Sequence, residues 1–68
     1  MELSFRQRDL LDYIKWCVRE YGRPPSYREM RQYLNVASDN VVFKYLNKLE
    51  EAELIVRDKG TARNIQIL

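Results

Sequence analysis

The chain has 68 residues, 46% of them hydrophobic and 32% charged, with a formal net charge of +2. That composition fits one small domain with a thin interior, too rich in Leu, Ile, Val and aromatic side chains along its length for disorder. With no His and a single cysteine, Cys17, it lacks the means for a zinc cage, a disulfide framework or a His-dependent catalytic triad.

The modest net charge excludes a polycationic tail. It leaves nucleic-acid binding to be decided by where the charges sit. No apolar run approaches the roughly 20 residues needed to span a bilayer, and the N-terminus lacks the basic-then-apolar layout of a secretion signal. A cytoplasmic or nucleoid location is expected, in a bacterium or for a phage or plasmid product in a bacterial host.

The first element starts at Ser4-Phe5-Arg6-Gln7, which fits a capping box. Leu10, Leu11, Ile14, Cys17, Val18 and Tyr21 follow at helical spacing, and Gly22 with Pro24-Pro25 ends the run. The first helix is therefore expected at about residues 5–21. Cys17 lies on the apolar stripe and reads as a small core residue. Ser26-Tyr27-Arg28-Glu29 is a second capping box. It opens a short helix at about 27–34, with Met30 and Leu34 facing inward and Tyr27 or Tyr33 beside them. Asn35 tolerates the left-handed conformation that closes a helix.

Ser38 is the third N-cap candidate, and Asp39 suits the positive end of a helix dipole. Val42, Tyr45, Leu46 and Leu49 form the next stripe, giving a helix at about 39–51. Glu50, Glu51 and Glu53 near its end oppose the dipole. The period then changes to two. Leu54-Ile55-Val56-Arg57, a turn at Asp58-Lys59-Gly60-Thr61, and Arg63-Asn64-Ile65-Gln66-Ile67 read as a hairpin. A bare hairpin is marginal, so it must pack on the helices. The fold class is mainly α with a small β-hairpin, a winged helix–turn–helix.

The residues also carry a family likeness. Gly22-Arg23-Pro24-Pro25-Ser26 followed by Glu29 is similar to a Gly-x-Pro-Pro-Thr lead into a second helix. Ser4, Arg6, Gln7, Asp12, Ile14, Gln32, Leu34, Ser38, Asn40, Leu46, Leu49, Ile55, Gly60, Arg63, Ile65 and Leu68 agree in spacing with it. The chain resembles the N-terminal DNA-binding domain of the LexA repressor family over residues 1–68, as a single domain. The resemblance implies a DNA-binding transcriptional repressor of the SOS-response type. Its third helix would enter the major groove and its wing would lie on the backbone or minor groove. The family's C-terminal self-cleaving serine–lysine peptidase half is expected to be absent, since the sequence ends before it. No enzymatic activity, cofactor, membrane or small-molecule substrate is expected.

Position by position, the resemblance marks Ser38, Asn40, Val41, Phe43 and Lys44 on the third helix, with Lys59 and Gly60 in the wing. The residues themselves support several of these. The Asn40 amide can both donate to and accept from adenine in the major groove. Ser38 can serve a phosphate, the helix cap, or both. Lys44 suits guanine or a phosphate, with a solvated surface lysine as the plainer reading. Lys48 continues that face toward the backbone. Arg28, Arg31, Arg57, Lys59 and Arg63 could flank the duplex and add salt-dependent, sequence-blind affinity.

Three departures from the family stand out. Phe43 and Lys44 replace acidic side chains. A carboxylate can accept from cytosine, whereas Phe can pack on a thymine methyl, so the family's operator does not transfer. Phe43 could instead be core or meet a protein. Phe5, Trp16, Tyr27 and Tyr33 are aromatic where the family is mostly small, charged or polar. Phe5, Tyr13 and Trp16 could form a protein interface, or could cover the hairpin or widen the core. Glu53 replaces a turn glycine, which leaves the geometry before the wing open. The expected partner is a double-stranded DNA operator, bound by a dimer on paired half-sites. The competing reading is a protein-interaction module on the same scaffold, binding a repressor or polymerase.

Overall fold

A computed structural model describes residues 4–57 and 65–68. Three helices, α1 (Phe5–Tyr21), α2 (Tyr27–Leu34) and α3 (Asp39–Glu51), precede strands β1 (Ile55–Arg57) and β2 (Ile65–Ile67). The helix bounds match the expected ones, and the reason is local chemistry at each end. Ser4 accepts from the Gln7 backbone N–H at 3.2 Å while the Gln7 side chain accepts from the Ser4 N–H at 2.9 Å. Ser26 and Glu29 repeat the device at the start of α2, at 3.1 and 2.9 Å. Each box satisfies two donors that a helix start leaves orphaned.

The three helix ends are closed by left-handed residues or by the backbone bonds that accompany them. Gly22 ends α1 at φ 74°, and its N–H reaches the Val18 carbonyl at 2.9 Å. Asn35 ends α2 at φ 59°. The Val36 N–H reaches back to the Arg31 carbonyl and the Asn35 N–H to that of Gln32, the paired bonds of a Schellman motif. After α3 the same pair recurs, from Leu54 to Leu49 and from Glu53 to Glu50, both at 3.0 Å. Here the left-handed residue is Glu53, at φ 61°. The turn geometry leading into β1 therefore survives without glycine, at a conformational cost of about 1–2 kcal/mol.

Leu10, Leu11 and Ile14 of α1, Met30 and Leu34 of α2, and Val42, Leu46 and Leu49 of α3 form one core with Ile55 and Ile65. Pro25 and Cys17 are also fully buried, which agrees with the structural reading of Cys17. Burial raises the Cys17 thiol above its ordinary pKa. Tyr21 departs from the expected stripe. It is 59% exposed, at the last helical position before Gly22. Of the two tyrosines offered for α2, Tyr27 packs on the core and Tyr33 is exposed.

The strands pair antiparallel, with Ile55 opposite Ile67, Val56 opposite Gln66 and Arg57 opposite Ile65. The Leu68 N–H donates to the Leu54 carbonyl at 3.0 Å and extends the pairing by one step. Ile55 and Ile65 point into the core while Val56 and Gln66 face out, the period-two pattern of a half-buried hairpin. β1 packs against α3. The architecture is a winged helix–turn–helix. Lys59, Gly60 and Arg63, expected in the wing, lie outside the described residues. Among the described residues no helix is long and apolar enough to cross a membrane.

Candidate nucleic-acid interface

α2 and α3 are joined by four residues, Asn35 to Ser38. Val36 tucks against the core and Ser38 caps α3, accepting from the Asn40 N–H at 3.1 Å. This leaves the Ser38 hydroxyl proton free to donate outward, so cap and phosphate contact are compatible roles. A further tie fixes the angle of the unit. Arg31 Nε on α2 lies 2.9 Å from Asp39 Oδ1 in the first turn of α3, without the geometry of a hydrogen bond. Asp39 thus meets both a helix dipole and an arginine. Arg31, considered above as a flanking cation, is turned to this internal task.

With Val42, Leu46 and Leu49 anchored beneath, α3 turns Asn40, Phe43 and Lys44 outward. Three and four residues apart, they share one face of the helix. All three are exposed, Phe43 at 47%. The side chains of Asn40 and Lys44 form no hydrogen bond or ion pair among the described residues. Val41 is half-buried at the edge of this face. Lys48 is exposed farther along, 3.8 Å from Glu51. On α2, Arg28 is exposed and pairs with no carboxylate among the described residues. With Arg31, Gln32, Asn35 and Val36 it lines an open concavity of about 260 Å³ beside the turn into α3.

The second half of α3 is occupied differently. Arg57 of β1 reaches Glu50 Oε1 through Nη2 at 3.1 Å and through Nε at 3.3 Å, and also donates to Asn47 Oδ1. Its guanidinium carbon lies 4.9 Å from the centre of the Phe43 ring, a cation–π contact. Phe43, Asn47 and Glu50 fall at successive turns of one helical face, so a single arginine fastens the hairpin along α3. The Arg57 side chain is only 17% exposed. Its reading as a flanking cation gives way to this packing role. Neither interaction was legible from sequence, because nothing local tells an arginine in a strand which helix face it will meet. Phe43 is not core.

A second surface lies between α1 and α2. Tyr13 stacks on Tyr33 with ring centres 4.3 Å apart and planes 4° from parallel. Trp16 lies 6.3 Å from Tyr13 and meets Tyr21 edge-on at 5.4 Å. Arg23 sits 5.8 Å from the Tyr21 ring. Burial, then a hydrogen bond with Cys17, pushes the Tyr13 phenol up to about 12. These rings bridge two helices, and Tyr13 also packs against the core. Phe5, 89% exposed, has no ring contact with Tyr13 or Trp16 among the described residues. Tyr21 and Tyr33 join the aromatic surface in its place.

A short-turned helix pair with an outward second helix, buttressed by a hairpin, defines the class of winged helix–turn–helix DNA-binding domains. The chain belongs to the LexA DNA-binding domain family, whose profile matches residues 1–64. It is 46% identical over 67 residues to the LexA repressor of Bacillus mycoides strain KBAB4, an alignment covering 98% of this chain and 33% of that protein. The LexA repressors of Bacillus thuringiensis strain Al Hakam and of Bacillus anthracis match at the same 46%, with 98% of this chain and 32% of each relative covered. The chain thus spans about a third of the length of these relatives.

Proposed function

We propose that the chain binds double-stranded DNA sequence-selectively and acts as a transcriptional repressor, in the manner its relatives' name describes. α3 would lie in the major groove and the hairpin against the backbone. The observation that carries this reading is the outward face at the start of α3, where Asn40 and Lys44 are exposed and uncommitted. Asn40 reads adenine through its amide. Lys44 reaches guanine or a phosphate, and Ser38 and the amino end of α3 hold a phosphate. Arg28 and Lys48 add backbone contacts, as do Lys59, Gly60 and Arg63 in the wing. One such domain covers a short footprint, so paired half-sites bound by a dimer supply useful specificity. Operation in a bacterial cytoplasm, in an SOS-type circuit, follows from the same reading.

The test is selection of binding sites from a random duplex library, followed by titration at several salt concentrations. Enrichment of one motif is expected, with affinity falling as salt rises. Failure to enrich any motif, together with a flat salt response, removes this reading.

The exposed rings of Trp16, Tyr21 and Tyr33 favour a second reading, a protein-binding face on α1 and α2. Under it, a protein partner remains bound to Asn40→Ala and Lys44→Ala variants and is lost from Trp16→Ala. Equal binding by all three variants counts against it.

A further inference from the structure

We propose that Phe43 reads the 5-methyl group of a thymine beside the adenine held by Asn40, and that Arg57 is the positioning residue that fixes the Phe43 ring for this task. The inference rests on the DNA-binding reading above and names what its central face selects.

Phe43 lies between two uses of α3. It is three residues beyond Asn40, on the same outward face, and is 47% exposed. A half-exposed phenylalanine loses free energy in water unless something covers it. Arg57 covers part of it, with its guanidinium carbon 4.9 Å from the ring centre. That guanidinium is itself held by Glu50 and Asn47. With donors committed to two side chains and only 17% of its side chain exposed, Arg57 is poorly placed to swing toward a phosphate. Its effect is to restrict the ring, so that the part left uncovered is presented in a defined orientation beside Asn40 and Lys44.

The ligand follows from the chemistry of the groove. Most features of base edges in the major groove are hydrogen-bond donors or acceptors, which a phenyl ring cannot satisfy. The apolar feature is the thymine methyl. A preorganised ring gains from burying that methyl without first losing rotamer freedom. A cytosine at that position lacks the methyl and leaves the ring no apolar group to bury. A 5-methylcytosine restores the methyl and recovers part of the contact.

The experiment uses the unmodified chain and its selected DNA site. Each thymine is replaced in turn by uracil, which keeps the base pairing and removes only the methyl. One thymine per half-site is expected to weaken binding about fourfold on replacement, the worth of one buried methyl. Phe43→Ala is expected to abolish that difference, and Phe43→Leu to retain much of it. Arg57→Gln, which removes the charge, is expected to narrow it while leaving the salt dependence unchanged.

Selection of a motif with no thymine sensitive to uracil overturns the inference and leaves the DNA-binding reading standing. So does a sensitivity that persists in Phe43→Ala, because another group then reads the methyl. A shallower salt dependence in Arg57→Gln, which removes the charge, overturns the positioning role in favour of a phosphate contact. Absence of any selected motif, with a flat salt response, removes both the reading and the inference. The uracil series needs no substitution in the protein, so its outcome is independent of how well any variant folds.

Discussion

The two halves of α3 have similar polar content and opposite fates. At the start, Asn40 and Lys44 stand exposed without side-chain partners among the described residues. Toward the end, Asn47 and Glu50 are consumed by Arg57. The difference shows how one short helix can both bind and be held. Donors left unsatisfied by the protein remain available to a ligand. Donors and acceptors satisfied within it hold the hairpin in place. Phe43 stands at the boundary, with Arg57 against part of its ring and the rest exposed.

The comparison breaks most visibly at Arg57. Arg57→Ala removes charge-assisted bonds to Glu50 and the cation–π contact, and should lower the unfolding free energy by about 2–3 kcal/mol. Urea denaturation followed by circular dichroism reads this. Lys44→Ala, in the other half, should stay within about 0.5 kcal/mol of the parent in the same assay. If the two variants lose equal stability, the division of the helix is wrong.

Binding should show the reverse. Asn40→Ala is expected to weaken a selected duplex by about tenfold or more with stability unchanged. Lys44→Ala should also make the salt dependence shallower, by about one unit if it meets a phosphate. Fluorescence anisotropy at several salt concentrations separates these effects.

Just beyond the held half, Glu53→Gly relieves the left-handed strain at φ 61° and should stabilise the domain by about 1 kcal/mol. Thermal unfolding midpoints test it, and a lower midpoint would mean that the Glu53 side chain contributes more than its backbone loses.

The smallest effect concerns Glu29. The Ser26 N–H, and then Arg23 at 3.2 Å, hold its carboxyl below the ordinary carboxylate value. A depressed folded-state pKa gives stability that is complete above the unfolded value and is lost as pH falls through the folded one. Denaturant midpoints of the parent should therefore decline below the carboxylate range. Glu29→Gln, which keeps an oxygen for the Ser26 N–H, should decline less over that interval.

What could be read from the chain alone follows the range of the interactions concerned. Ser4 with Gln7 and Ser26 with Glu29 form boxes three residues wide, so the helix starts were legible. Gly22 and Asn35 announce their stops by residue type. Glu53 does not, because its left-handed conformation is imposed by the turn around it. The stripe of α1 misplaced Tyr21, since periodicity says which side a residue faces and not whether anything covers that side. Arg31 and Arg57 looked like cations for DNA because their partners lie seven to ten residues away or on another element. Asn40 and Lys44 were legible as an outward face because Val42 and Leu46 fix the opposite one, whereas the sequence left Phe43 open between core and surface. The relation of Phe43 to Arg57 required the folded hairpin.

Cys17 has a practical consequence. It is the sole thiol of the chain, fully buried and with its ionisation suppressed. An alkylating reagent must wait for the interior to open before it can react. The rate of labelling therefore serves as an inherent stopwatch for whole-domain opening, with no dye or tag added.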